Sequence, residues 1–201
     1  TYSPPAAYRD GWDALPPIPY DLDTQGGHDQ AVIDTIESRT PEEVAVLEQH
    51  VRTRYAGDLR WLDDQLRELW DDLEARGWLD DALVVFWTDH GEQHFERGYQ
   101  AHGFTLYAEE NDVLGLFWAK DLAPAVWTGP THATDLAPTI LGVFGVPVPE
   151  VVTGVRVGLA PPDRARFAFS AGKVGIFQSV RQGPDELIFG WTDPAAVTPL
   201  T

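Results

Sequence analysis

A short apolar run that ends in an acid and a histidine limits the possible folds of this chain more than any other stretch. Residues 83–87 (LVVFW) are β-branched, aliphatic or aromatic, and the run has the length of one buried strand. Asp89 and His90 follow it almost at once. Ligands of open α/β sheets bind at the carboxyl edge of the strands, so this pair indicates a site there. A surface loop with an ordinary Asp and His is the alternative interpretation.

The chemistry of the turn after this run favours a cation. Neighbouring side chains of a strand point to opposite faces, so Asp89 and His90 can share one ion only where the chain is leaving the strand. Gly91 permits such a turn. An Asp–His pair suits a hard or borderline divalent cation, but two ligands do not make a site, so further carboxylates must come from elsewhere. Glu92 and His102 lie close by in the sequence, and a nearby His can stabilise negative charge or protonate a leaving group.

Composition excludes several classes of function. The chain has 201 residues and a formal net charge of −18, which argues against binding to a nucleic-acid backbone. There is no Cys, hence no disulfide, thiolate zinc site or Cys nucleophile in this stretch. No apolar run reaches the roughly 18 residues of a membrane span.

The sequence contains no Met, so we expect it to be processed or cut from something longer. It carries no targeting signal, which leaves the compartment undetermined.

Periodicity predicts a chain that alternates helices with strands. Thr40, Pro41 and Glu43 form a capping box before a long stripe of apolar residues spaced three and four apart, which ends at Gly77. A coiled coil is the alternative to a helix laid on a sheet. Thr134 is predicted to cap a later helix. The predicted elements are a helix over 41–76, a strand over 82–88, a strand over 113–118 and a helix over 135–144.

The two ends of the chain are predicted to differ. Residues 1–27 are predicted to be loop-like, with a turn at Gly26-Gly27 and a solvated His28. Runs separated by Gly turns after residue 160 predict a small antiparallel sheet. We therefore predict an α/β part over residues 1–160 and an antiparallel subdomain over residues 161–201.

These landmarks resemble the sulfatase family of the alkaline-phosphatase superfamily. Members show an apolar strand, then S/T-D-H-G-E, a variable loop, H-G-x-T-L-Y-x-E-E and another apolar strand. Residues 82–92 (ALVVFWTDHGE) and 101–117 (AHGFTLYAEENDVLGLF) are similar to this pattern. Residues 2–8, 134–141 (TDLAPTIL) and 179–194 resemble further family landmarks, in family order. The resemblance implies a partial sulfatase-like sheet flanked by helices, in addition to the C-terminal antiparallel sheet.

The resemblance also implies roles for particular residues. Asp89 and His90 would be ligands of a divalent metal, with Ca²⁺ favoured over Zn²⁺ or Mn²⁺. His102 would contact the sulfate or phosphate group as the catalytic residue, although an anchoring role in its loop is the alternative. Glu92 matches the motif and is given only a supporting role. His94 and His132 are interpreted as surface or capping residues.

The departures from the family pattern concern what is missing. The family's other metal carboxylates and its nucleophile come earlier in the protein, and nothing here matches them. We therefore expect these residues to be the C-terminal half of a sulfatase-like enzyme, inactive alone, with the N-terminal half as its partner. Strand edges left unpaired predict a homo-oligomer. Leu114 stands where the family usually has Pro, which affects packing rather than chemistry.

Three functions are compatible with this sequence. The first is a metal-dependent sulfuric ester hydrolase. The second is a phosphodiesterase or phosphoethanolamine-type transferase of the same superfamily, which would act on phosphate esters. The third is a non-catalytic module that binds a partner.

Overall fold

A computed structural model describes residues 2–38, 40–172 and 175–191. The described chain forms two compact units. The first contains the described residues up to 102 together with 107–122, and the second contains 103–106 and the described residues from 123 onwards. The boundary predicted at residue 160 stays a prediction. Residues 192–201 of the predicted subdomain, with the Asp193-Pro194 landmark, lie outside the described residues.

The long helix of the first unit begins where its capping box predicts. Helix α2 spans Pro41–Ala75. The Thr40 hydroxyl accepts the Glu43 N–H at 3.3 Å, and the Glu43 carboxylate accepts the Thr40 N–H at 2.9 Å. Each residue thus satisfies a backbone donor that the first turn leaves without a partner. Gly77 follows the helix with φ of 71°, in the left-handed region that ends helices.

Helix α2 continues through Gly57. A glycine at this position permits a close contact with the N-terminal segment. A Cβ atom on Gly57 would lie 2.6 Å from the Tyr8 carbonyl oxygen and 2.9 Å from Cγ of Pro4. The N-terminal segment, which includes short 3-10 turns at Ala6–Tyr8 and Trp12–Ala14, therefore lies directly on α2.

The predicted turn at Gly26-Gly27 is wrong, because these residues belong to a helix. Helix α1 spans Gln25–Ser38, and the Thr24 hydroxyl accepts the Gly27 N–H at 3.1 Å. A Cβ on Gly27 would lie 2.1 Å from the Asp21 carbonyl oxygen, so glycine permits a close approach here. The helix contributes to a small apolar core, formed by Leu22, Ala31, Leu47, Val51 and Phe95.

Two strands of the first unit pair antiparallel and end at the site. Strand β1 (Val84–Trp87) and a later strand, β4 (Gly115–Trp118), confirm both predicted strands with shorter bounds. Trp87 lies opposite Gly115, where a Cβ would meet the indole ring at 2.5 Å. The residues of β1 are half-buried rather than fully buried, and no third strand pairs with β1 among the described residues.

Between these strands the chain forms a small ribbon and a short helix. Strands β2 (Gln93–His94) and β3 (Gln100–Ala101) pair antiparallel, and helix α3 spans Ala108–Asn111. Phe95 and Ala101 have positive φ values of 71° and 80°. The ribbon therefore contains strained, non-glycine backbone next to the predicted site.

The second unit contains a helix and the predicted antiparallel sheet. Helix α4 spans Leu136–Val143 after a 3-10 turn at Ala133–Asp135. His132, not the predicted Thr134, caps this turn, because its ring accepts the Thr134 N–H at 3.2 Å. The sheet has the order β5-β6-β7, with strands at Arg166–Gly172, Gly175–Gln182 and Asp185–Trp191.

No helix in the described part of the chain combines the length and the apolar character that a bilayer span requires.

Candidate active site

The turn after β1 is held close to α3, which directs its polar side chains outward. The Gly91 N–H donates to the Glu110 carbonyl at 2.7 Å. A Cβ on Gly91 would lie 2.2 Å from the Glu109 carbonyl oxygen, so only glycine permits this approach. The side chains of Asp89 and His90 are 90% and 42% exposed. The turn thus presents both groups to solvent.

Asp89 and His90 lie close enough to contact one ion. Nδ1 of His90 lies 2.7 Å from the Gly91 carbonyl oxygen, which can only accept, so Nδ1 carries the proton. Nε2 therefore keeps its lone pair, and it lies 3.7 Å from Oδ2 of Asp89. One nitrogen and one oxygen donor facing the same space suit a divalent metal.

The ribbon brings a second imidazole to this turn. The rings of His90 and His102 have centroids 3.9 Å apart and an interplanar angle of 38°. Nδ1 of His102 lies 3.2 Å and 3.4 Å from the two carboxylate oxygens of Glu92. The structure thus brings together Asp89, His90, Glu92 and His102, while their chemical roles remain proposals.

The donor set supplies part of a metal site. Among residues 2–38, 40–172 and 175–191, no group of three or more His, Asp or Glu side chains is arranged to hold an ion. Asp89 and His90 fit a metal as two of its ligands.

Sequence reasoning missed the aromatic side of the site. Tyr2 and Tyr55 pack edge to face with ring centroids 5.1 Å apart. Burial first, and then the nearby charge of Glu92, raise the pKa values of both phenols. An open pocket of about 700 Å³ lies beside these rings and the turn, with Trp61 and Trp87 also in its wall. The resemblance of residues 2–8 to a segment near the family's substrate site was the one signal that could have found Tyr2.

Three further histidines have structural surroundings. His94 is only 7% exposed and its ring packs 4.7 Å from Tyr55, so the interpretation of His94 as a surface residue is wrong. Burial, followed by the charge of Arg52, lowers its pKa. His28 is 6% exposed rather than solvated, because it lies in a helix that packs into the core. His132 is a capping residue, as expected.

Comparison with known proteins identifies the family of this chain. The family model described as Sulfatase matches residues 19–146, which is more than half of the chain. This chain belongs to the sulfatase family. The family lies in the alkaline-phosphatase superfamily of hydrolases, whose members generally use a divalent metal.

Two curated proteins are similar to this sulfatase-family chain. A choline-sulfatase of Rhizobium meliloti (strain 1021) is 27% identical over 130 residues, covering 65% of this chain and 25% of that protein. A multifunctional alkaline phosphatase superfamily protein, PehA of Trinickia caryophylli, is 29% identical over 112 residues, covering 53% of this chain and 21% of PehA. The chain thus spans about a quarter of the length of these relatives.

Solved structures share the fold. The phosphonate monoester hydrolase SpPMH of Silicibacter pomeroyi has a TM-score of 0.66 at 24% identity, over 94% of this chain and 45% of SpPMH. BT4656, solved with its substrate D-glucosamine-2-N,6-O-disulfate, has a TM-score of 0.65 at 21% identity, over 92% of this chain and 38% of BT4656. These matches confirm the predicted family and the sulfatase-like α/β fold.

Proposed function

We propose that the intact protein is a metal-dependent sulfuric ester hydrolase. The observation that supports this proposal is the arrangement of Asp89, His90 and His102 at one turn. The rings of the two histidines are 3.9 Å apart, and the carboxylate of Asp89 lies 3.7 Å from Nε2 of His90. A cation ligand pair beside a second imidazole suits an ester group whose oxygens gain negative charge during hydrolysis, such as a sulfate.

Each of these three residues has a distinct part in the proposal. Asp89 and His90 would hold the divalent ion, which supplies positive charge that polarises the ester oxygens when bound. Nε2 of His102, on the ring edge away from Glu92, would donate a hydrogen bond to a sulfate oxygen or to the departing ester oxygen. Ca²⁺ is the ion implied by the family resemblance, but the imidazole of His90 is a ligand that Zn²⁺ or Mn²⁺ accepts more readily.

A phosphorus ester is the second candidate substrate. Similarity to PehA and the fold shared with SpPMH favour it over a non-catalytic binding role. The described residues of this site suit either ester, because Asp89, His90 and His102 would meet only the oxygens that both groups share. Turnover of an aryl sulfate and of an aryl phosphonate monoester by the same preparation separates the two candidates.

The test is a His102→Ala substitution in the intact protein. We expect aryl sulfate turnover to fall at least about 100-fold, because a positioned acid–base group typically contributes roughly 10²–10⁴-fold. The melting temperature should change little, because the His102 side chain is 48% exposed. Unchanged turnover would contradict the proposed role of His102. A protein that hydrolyses only the phosphonate would instead support the second candidate.

We also propose that residues 1–201 alone bind a divalent ion weakly and hydrolyse no ester. The reason is that Asp89 and His90 provide only two donors, whereas a stable site needs about four. Calorimetric titration of the isolated chain with Ca²⁺, Zn²⁺ and Mn²⁺ measures this directly. Tight stoichiometric binding of any of these ions would contradict the proposal.

A further inference from the structure

The register of the ribbon places Glu92 opposite His102. Gln93 pairs with Ala101, and His94 pairs with Gln100, in an antiparallel ladder. Continuing this register by one residue aligns Glu92 with His102. Residues directly opposite on antiparallel strands have their Cβ atoms about 4.5–5.5 Å apart, close enough for their side chains to interact. The contact between the Glu92 carboxylate and Nδ1 of His102 is therefore built into the ribbon.

The ribbon is anchored on its buried side. Gln93 and Gln100 are 0% and 1% exposed. The Gln93 amide donates to the Glu110 carboxylate of α3, which ties the ribbon to the segment that also holds the Gly91 turn. Ala101, immediately before His102, has the strained φ of 80°. Such a conformation persists only where the surrounding structure holds the backbone in place.

Glu92 is itself held in place. Its side chain is only 15% exposed, whereas that of His102 is 48% exposed. The Tyr2 phenol lies near Glu92 in the wall of the same pocket, and burial, followed by the charge of Glu92, raises its pKa. Because a carboxylate only accepts, Nδ1 of His102 acts as the donor to it. The raised pKa of Tyr2 keeps this phenol protonated over the whole working range of pH.

We propose that Glu92 is a positioning residue that fixes the proton of His102 on Nδ1 and turns Nε2 toward the ester. The proposal rests on the proposed function for its catalytic consequence, but not for its structural part. His90 shows the same principle, since the Gly91 carbonyl fixes its Nδ1 proton and leaves Nε2 for the cation. Both imidazoles would thus face the reaction with Nε2, each set by an acceptor on Nδ1.

The structural part is tested by the ring nitrogens of His102. We would record ¹⁵N NMR spectra of the histidine side chains at about pH 9, well above the ordinary His pKa of about 6.5. The His102→Ala variant identifies the His102 signals. We expect the Nδ1–H form in the parent and in Glu92→Gln, whose amide oxygen still accepts, and a mixture of both tautomers in Glu92→Ala. An unchanged tautomer in Glu92→Ala would overturn the proposal.

Glu96 provides the matched control in the same ribbon. Its carboxylate accepts from the His94 N–H at 2.5 Å and from Arg52 at 2.7 Å, and these contacts hold the backbone rather than His102. The Glu96→Ala variant should therefore leave the His102 tautomer unchanged, even if it lowers the melting temperature. A shift of the tautomer equal to that of Glu92→Ala would show a general loosening of the ribbon and overturn the specific role of Glu92.

The catalytic part is tested by kinetics in the intact protein. We expect Glu92→Ala to lower kcat about 10- to 100-fold, as outer partners of site histidines commonly do, with KM changed less than about twofold. Glu92→Gln should recover most of the rate. A loss of metal affinity in Glu92→Ala as large as that in Asp89→Ala would make Glu92 a ligand and overturn the proposal. If the protein hydrolyses no ester, the NMR result still decides the positioning role, so the two failures are distinguishable.

Discussion

Two carboxylates of this chain, one in each unit, hold a basic partner in opposite ways. Glu92, in the first unit, contacts His102 at 3.2 Å, and the His102 side chain stays 48% exposed. Asp135, in the second unit, is fully buried and accepts three donors, namely the backbone N–H groups of His132 and Val155 and the guanidinium of Arg164 at 2.7 Å. The Arg164 side chain is only 17% exposed.

The contrast separates a structural ion pair from the contact to which we assign a positioning role. Asp135 is enclosed by donors from separate segments of the second unit, and its burial leaves no surface for a ligand. The Glu92 carboxylate contacts Nδ1 of His102, and the His102 side chain is 48% exposed. The histidines show the same contrast. Both ring nitrogens of His132 contact protein atoms. Among the described residues, His102 forms a hydrogen bond with Glu92 and a ring contact with His90.

The largest effect on stability is expected from Asp135→Asn. Removing the charge of a buried carboxylate with several donors costs roughly 3 kcal/mol, because it leaves those donors and Arg164 poorly satisfied. For a chain of this size the melting temperature should fall by about 6–12 °C. The Glu92→Gln variant is the matched control and should change it by less than about 2 °C. Circular dichroism measures both melting temperatures. Equal decreases in the two variants would contradict the different roles assigned to Asp135 and Glu92.

Acid should remove the stabilisation that the charge of Asp135 provides. Burial alone would raise the pKa of Asp135, but the hydrogen bonds from Arg164, Val155 and His132 lower it below its usual value. The unfolded chain therefore binds this proton more readily, so the stabilisation is present above about pH 4 and is lost as the pH falls through the folded pKa.

The measurement for this effect is the melting temperature from about pH 7 to about pH 3. The difference between the parent and Asp135→Asn should shrink as the pH falls, because protonation removes the charge that the variant lacks. A difference that stays constant over this whole range would contradict the assigned role of the Asp135 charge.

The smallest effect is expected at the strained backbone beside His102. Ala101→Gly should raise stability by roughly 0.5–1 kcal/mol, since a left-handed non-glycine residue costs about 1–2 kcal/mol and glycine loses part of this gain in chain entropy. Ala45→Gly, at an exposed position of α2, is the control and should cost about 1 kcal/mol. Chemical denaturation measures both. Destabilisation by Ala101→Gly would show that the ribbon is not strained there.

The parts of the fold that follow from local chemistry were predictable. The capping box at Thr40 and Glu43 predicted the start of α2, and the apolar run before Asp89 predicted β1 and its exit. Glycine turns after residue 160 predicted the three-stranded sheet. These signals can be found in the sequence because each involves residues that are near one another along the chain. A capping box joins residues of one helical turn, and strands and helices show regularly spaced apolar side chains.

Local sequence patterns gave wrong predictions for residues that can serve more than one structural role. Gly26 and Gly27 are typical of a turn, but Gly27 provides the close approach to Asp21 that lets α1 begin. His94 lies in a polar stretch and is nevertheless buried, because its neighbours in space are Tyr2 and Tyr55. Composition around a residue does not show which distant side chains will cover it.

The order of amino acids alone was enough to identify the family, the α/β fold class and the candidate residues Asp89, His90, Glu92 and His102. Packing in three dimensions was needed to show that Glu92 faces His102 and that Tyr2 lies in the wall of the same pocket as Glu92. The physical reason is that both features depend on packing, namely on the register of the ribbon and on contacts between residues far apart in the chain. Such packing produces no regular spacing of residues in the sequence.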